Sequence, residues 1–141
     1  MTSSKILIEA SAEEVRKVLF DIANYPNWSR SIKAAKVETS DDQGRPLRIQ
    51  LNIEAGMLRD KPTLDYDWSG APEKVSFSLA DADLLTQMDG TYTVRAIGDD
   101  TEVTYELNSD VSMPIPKPML HSAEEGIIKA ALQELKENVE G

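Results

Sequence analysis

The chain has 141 residues, 40% of them hydrophobic, and sets 15 Lys and Arg against 25 Asp and Glu for a net charge of −10. That balance excludes a nucleic-acid binder, which needs a basic surface to displace counterions from phosphates, and disfavours electrostatic attachment to an anionic membrane. The lack of cysteine removes disulfides, thiol catalysis and thiolate metal sites together.

One domain over residues 1–141 is the expected count for this length. No run approaches the ~20 apolar residues of a transmembrane helix, so stable membrane insertion is not expected. The opening MTSSKILIEAS lacks the basic region and apolar stretch of an export signal, which makes the cytoplasm the expected location. A monomer or weak dimer is expected.

Residues 4–9 (SKILIE) have the composition of a first strand. Ser11-Ala12-Glu13-Glu14 is a capping box, and Val15, Val18, Leu19 and Ile22 follow at helical spacing. Tyr25-Pro26 should end this helix, because the residue before proline resists the α region. A second short helix carrying Trp28 and Ile32 is expected next.

From about Ala34 to Ser112 the hydrophobic period becomes two. Leu47, Ile49, Leu51 and Ile53 form one row, and Leu64, Tyr66 and Trp68 a second. Val75, Phe77 and Leu79 follow, then Met88, Tyr92 and Val94, then Val103, Tyr105, Leu107 and Val111. Each apolar row alternates with polar residues, which describes an antiparallel sheet covered on one face. Asp41-Asp42-Gln43-Gly44, Gly70-Ala71-Pro72 and Gly98-Asp99-Asp100 supply the turns.

The stretch from Ile115 to Val139 reads as one long amphipathic helix. At ~100° per residue, Leu120, Ala123, Ile127, Ala131, Leu135 and Val139 share one side, and Glu124 falls inside the same arc. A carboxylate on a covered face either lines a cavity or is neutralised by a partner, because an isolated buried charge is too costly to persist.

The segments DIANYPNW (21–28), Gly44-Arg45, YDWSG (66–70), MDGTYTV (88–94), DDTEVTYEL (99–107) and MPIPKPML (113–120) together resemble the START-like, or SRPBCC, superfamily in its bacterial polyketide cyclase/dehydrase-like branch. The resemblance runs from about Lys5 to Glu140. It implies an α+β helix-grip fold, with a curved antiparallel sheet of about seven strands around the C-terminal helix and two short helices after the first strand. It also implies a deep, mostly apolar cavity between sheet and helix. Members of that superfamily bind lipids, polyketides, quinones or sterols; some catalyse cyclisation or dehydration, and a few resemble ribosome-association toxins.

Tyr66, Trp68, Phe77, Tyr92 and Tyr105 are inward on this reading, and four of the five have a polar tip. Either a dry core satisfies those tips or a cavity with water and ligand does so. Leu51, Ile53, Met88 and Ile127 would line the same space. Gly90 either leaves room for a ligand or marks a bulge. Trp28 and the Pro114–Pro118 segment are expected near an opening. There Met57, Leu58, Met113, Met119 and Leu120 form a flexible rim or simply cap the core.

Catalytic signals are sparse. His121 is the only histidine, so a zinc site is not expected, and it reads as a partly exposed structural residue. There is no nucleophile elbow, P-loop or dinucleotide fingerprint. Glu124 is the one candidate general acid or base, since a desolvated carboxylate suits that work. A carrier for a hydrophobic small molecule, needing no cofactor, is the expected function. A cyclase, aromatase or dehydratase using Glu124 is the alternative. A toxin or regulator acting through a protein surface is the third reading, and the acidic charge opposes its ribosome-directed form.

Overall fold

The computed structural model describes residues 1–55 and 58–141. Strand β1 (Thr2–Ile8) leads to helix α1 (Ala12–Leu19). The backbone N–H of Glu14 donates to Ser11 Oγ at 3.2 Å, as the S-x-x-E pattern dictates. This helix stops well short of Tyr25. Residues Ile22–Asn27 instead form a 3₁₀ helix that contains Pro26. In that geometry residues i and i+3 eclipse, which buries Ile22 and Tyr25 on one face. The Tyr25 hydroxyl then donates to the Leu19 carbonyl, satisfying one of the acceptors a helix end leaves free. The expected second helix across Trp28 and Ile32 is absent. Trp28 closes the 3₁₀ helix and Ile32 opens strand β2 (Ile32–Ser40).

Six further strands follow: β3 (Pro46–Ala55), β4 (Leu58–Asp60), β5 (Thr63–Asp67), β6 (Lys74–Asp81), β7 (Leu85–Ile97) and β8 (Asp100–Val111). They form one antiparallel sheet in the order β1-β8-β7-β6-β5-β3-β2, with the short β4 added to β3. Gly98, at φ 62°, takes the first position of the two-residue β7–β8 turn, where positive φ is needed.

The alternating rows bury or half-bury the expected side chains on the inner face, with one exception. Leu47 is 39% exposed, whereas Pro46 is buried. Ser40 pairs with Pro46 and Thr39 with Arg48, so Leu47 is an extra residue that bulges and turns outward.

Helix α2 (Lys117–Glu140) lies along β1 and β8. Contacts with β1 recur along its length. Thr2 Oγ1 donates to Glu124 at 2.6 Å, Lys136 Nζ donates to the Leu7 carbonyl at 3.0 Å, and the Glu9 amide donates to Glu140 at 2.8 Å. From Glu124 to Lys136 the helix rises ~18 Å, and from Thr2 to Leu7 the strand rises ~17 Å. The two elements therefore stay in step.

At the β4 end, the Asp60 carboxylate is 5% exposed. It accepts backbone N–H groups from Lys61, Asp83, Leu84 and Leu85 at 2.7–3.0 Å. Burial alone would raise its pKa, but these amide bonds together hold it below the usual carboxylate range. The carboxylate ties β4 to the start of β7.

Candidate functional site

With α2 seated on the β1–β8 edge, the rest of the curved sheet faces the 3₁₀ helix across a gap. That gap is a cavity. Its sheet wall is Leu51, Ile53, Leu64, Tyr66, Phe77, Met88, Tyr92 and Tyr105. Tyr25, Trp28, Ser29, Ser31 and Ile32 close one side, Ile127 and Ala131 of α2 another, and Ala55 and Leu58 one end. About 60 Å³ is open to the centre of a water molecule, which is room for a few waters. Pockets for drug-sized ligands are typically ~300–1,000 Å³, so a guest of that size must part the walls.

The walls are built of rings. Tyr92 and Tyr105 stack with centroids 4.0 Å apart, Tyr66 and Phe77 lie 5.5 Å apart, and Tyr25 meets Trp28 edge-on at 5.0 Å. Burial pushes the phenols of Tyr25, Tyr66, Tyr92 and Tyr105 upward; neighbouring phenols add to this for the first three. All four therefore remain neutral near pH 7, as hydrogen-bonding groups rather than bases. Among the described residues, the buried side-chain polar atom without a partner is Trp28 Nε1.

Of the residues expected to face a ligand, Trp28, Leu51, Ile53, Tyr66, Phe77, Met88, Tyr92, Tyr105 and Ile127 border the cavity. Met57 lies outside the described residues. Trp68, Gly90, Met113, Leu120 and Glu124 do not line it. Trp68 is buried farther along the sheet, its indole N–H donating to the Pro46 carbonyl at 2.7 Å and its ring meeting Phe20 edge-on at 5.4 Å. Gly90 does not open onto this cavity and is not a bulge. Its pairings with Phe77 and Leu107 stay in register, and a Cβ there would lie 2.3 Å from Phe77 Cζ. The Phe77 ring takes the room that the missing side chain leaves.

Glu124 and Leu120 are kept from the cavity by the way α2 is seated. The buried stripe of α2 is Glu124, Ile128, Leu132 and Leu135, rotated by roughly 60° from the arc expected at ~100° per residue. This stripe packs on the sheet edge, leaving Ile127 and Ala131 on the flank that meets the cavity. Leu120 is only half-buried in the first turns, and Met113 is 47% exposed ahead of the helix.

Glu124 does point to the sheet, and partners satisfy it there. Besides Thr2, the Ser109 backbone N–H donates to it at 2.7 Å and the Ser109 hydroxyl at 2.5 Å. His121 Nδ1 lies 2.9 Å from Thr2 Oγ1. Because the Thr2 proton is committed to Glu124, Nδ1 is the donor in that contact. His121 Nε2 sits 3.0 Å from Glu125, with the imidazole more than half exposed. Among the described residues, no group of three His, Asp or Glu could hold a metal ion, and no helix is long and apolar enough to cross a membrane.

Tyr25, Ser29, Ser31, Ile32 and Ala55 were not expected as lining residues, and Leu64 and Ala131, placed on covered faces by periodicity, were not assigned to the cavity. Tyr25 was legible in principle, since Ile22, Tyr25 and Trp28 recur at the three-residue spacing of a 3₁₀ helix.

An open antiparallel sheet, one long helix and a ring-walled cavity between them define the START-like, helix-grip fold. The chain belongs to the family described as polyketide cyclase / dehydrase and lipid transport, which it matches over residues 2–140. A START superfamily protein from Mycobacterium smegmatis is similar in structure, with TM-score 0.93 and 23% identity over 99% of this chain and 96% of that one. A Thermus thermophilus protein gives TM-score 0.84 at 17% identity, over 98% and 95% of the two chains. The Zhui aromatase/cyclase from Streptomyces sp. R1128 gives 0.76 at 14%, over 99% and 92%. These likenesses establish the fold. No curated protein matches the sequence.

Proposed function

We propose that this protein binds or carries a hydrophobic small molecule, of lipid, polyketide or quinone-like type, in the cavity between sheet and α2. The observation that carries this reading is the recessed space whose walls are mainly apolar side chains and neutral phenols. Phenol tips suit a binding site that keeps a few polar contacts for orientation. The family, which includes lipid transport proteins by its description, agrees with it. A binder is favoured over a cyclase or dehydratase using Glu124. That carboxylate is spent on Thr2 and Ser109, and the described lining residues include no carboxylate or imidazole. We further propose that residues 1–141 act as one domain, as a monomer or weak dimer in the cytoplasm.

Native mass spectrometry of protein purified from its own host tests this directly. A co-purifying hydrophobic molecule, released by solvent and absent after Tyr92→Trp fills the cavity, is the expected result. A bare chain mass, with no thermal stabilisation by a panel of lipids, quinones and aromatic polyketides, would refute it.

A further inference from the structure

The cavity admits only a few waters, so a ligand needs a wall that yields. Three of its walls are firmly held. The strands that carry Leu51, Tyr66, Phe77, Tyr92 and Tyr105 are paired on both sides, and parting them breaks backbone ladders. Helix α2 is fixed to β1 and β8 at Glu124, Lys136 and Glu140. The end at Ala55 and Leu58 is closed by β3–β4 pairing, and Asp60 beside it holds four backbone amides.

The fourth wall is different. Residues 28–31 lie between the 3₁₀ helix and β2, in neither helix nor strand, and Trp28, Ser29 and Ser31 line the cavity. Both ends of this strap are anchored: the Ser29 N–H donates to the Tyr25 carbonyl, and the Glu54 N–H to the Ser31 carbonyl, each at 2.8 Å. Its middle is held more weakly. Among the described residues, every hydrogen bond and ion pair between the strap and α2 ends on Glu134. The Arg30 N–H is shared between the two carboxylate oxygens at 3.4 Å each, beyond the usual N–H···O range, and Arg30 Nε lies 3.6 Å from Oε2. The Arg30 side chain is 87% exposed, and an ion pair with one partner in water is weak and screened by salt. Ile127 and Ala131, which line the cavity, stand seven and three residues before Glu134 on the same helix. Freeing the carboxylate therefore parts the strap from α2 at the cavity itself.

We infer that the strap of residues 28–31 is the door through which ligand enters, and that Glu134 is its catch. This rests on the binding reading above and adds the route of entry to it. The catch closes the strap with or without ligand, so loosening it raises the open fraction equally in both states. Entry and exit then quicken together while affinity stays the same.

Stopped-flow binding of N-phenyl-1-naphthylamine, an uncharged fluorescent probe, tests this on the full chain. Glu134→Ala should raise the association and dissociation rates alike by about two- to fivefold, the range an exposed ion pair spans, with Kd held within about twofold. Arg30→Ala, which keeps the backbone N–H, should raise both by less. Salt should quicken the parent and leave Glu134→Ala unchanged, because the pair it screens is gone. Lys136→Ala cuts the link from α2 to the Leu7 carbonyl and should alter neither rate. Without ligand, hydrogen exchange of the Trp28 indole N–H, buried on the strap with no partner among the described residues, reports opening directly. It should accelerate by the same factor in Glu134→Ala, while the Trp68 indole, bonded to the Pro46 carbonyl, keeps its rate. Unchanged rates with unchanged Trp28 exchange would overturn the inference and leave the binding function standing. Faster dissociation alone would also overturn it, by making Glu134 a support of the bound state only. Acceleration by Lys136→Ala instead would put the entry between α2 and β1. If neither this probe nor the panel of lipids, quinones and aromatic polyketides binds, the binding function itself falls and this inference with it.

Discussion

Replacing Glu124 with leucine separates a carboxylate that clamps the fold from one that merely sits on an apolar face. On the helix face alone, Glu124→Leu should be harmless, because it swaps a buried charge for a side chain resembling its neighbours. The hydrogen bonds reverse that expectation. Glu124 accepts from Thr2 Oγ1, Ser109 N–H and Ser109 Oγ at 2.5–2.7 Å. Bonds to a charged acceptor are worth about 1.5–3 kcal/mol each, while burying leucine returns only about 1.5–3 kcal/mol in total. Because Ser109 is only half-buried, water recovers part of the loss, leaving a net destabilisation of about 2 kcal/mol. For a chain of this size that is a fall of roughly 4–8 °C in Tm. Glu124→Gln keeps one acceptor and should cost about half as much. Urea unfolding followed by circular dichroism measures both, with an unchanged m value as the check that only stability moved. Hydrogen exchange at the Ser109 amide should accelerate in the leucine variant. A Glu124→Leu protein as stable as the parent would refute the clamp.

Asp60→Asn should destabilise by about 2 kcal/mol at pH 7, since four backbone amides lose a charged acceptor. The folded carboxyl lies below its unfolded value. Its contribution is therefore present above the unfolded pKa and lost as pH falls through the folded one, so parent and variant should converge in urea midpoint as the pH is lowered through that range. Trp68→Phe removes the bond to Pro46 and should cost about 1–2 kcal/mol. It should leave probe affinity unchanged, because Trp68 does not line the cavity; a large loss of affinity would contradict that placement. Gly90→Ala puts a methyl against the Phe77 ring. The ring must move toward the cavity, for a cost of about 1–3 kcal/mol and weaker probe binding, both read from one thermal titration with ligand.

Much of this fold is local information. Ser11 and Glu14 start α1, Gly98 sets the β7–β8 turn, and period-two rows such as Tyr66, Val75, Phe77, Tyr92 and Tyr105 determine which sheet face is buried. These signals are written in neighbouring residues, so they can be read without knowing what lies across the chain. The short β4 and the outward turn of Leu47 were not legible, because each depends on how a partner strand is registered. The role of Glu124 was half legible. Its place on the covered side of α2 follows from helical spacing, but the partners that hold it there, Thr2 and Ser109, lie 122 and 15 residues away. Helical spacing allowed a range of buried arcs, and only seating on the β1–β8 edge chose the stripe through Ile128 and Leu132 and turned Ile127 to the cavity. Periodicity says which residues leave water. Where they go, and which polar groups find partners on arrival, is settled by long-range packing, as the Trp68 indole on the Pro46 carbonyl and the Trp28 indole, without a partner among the described residues, both show.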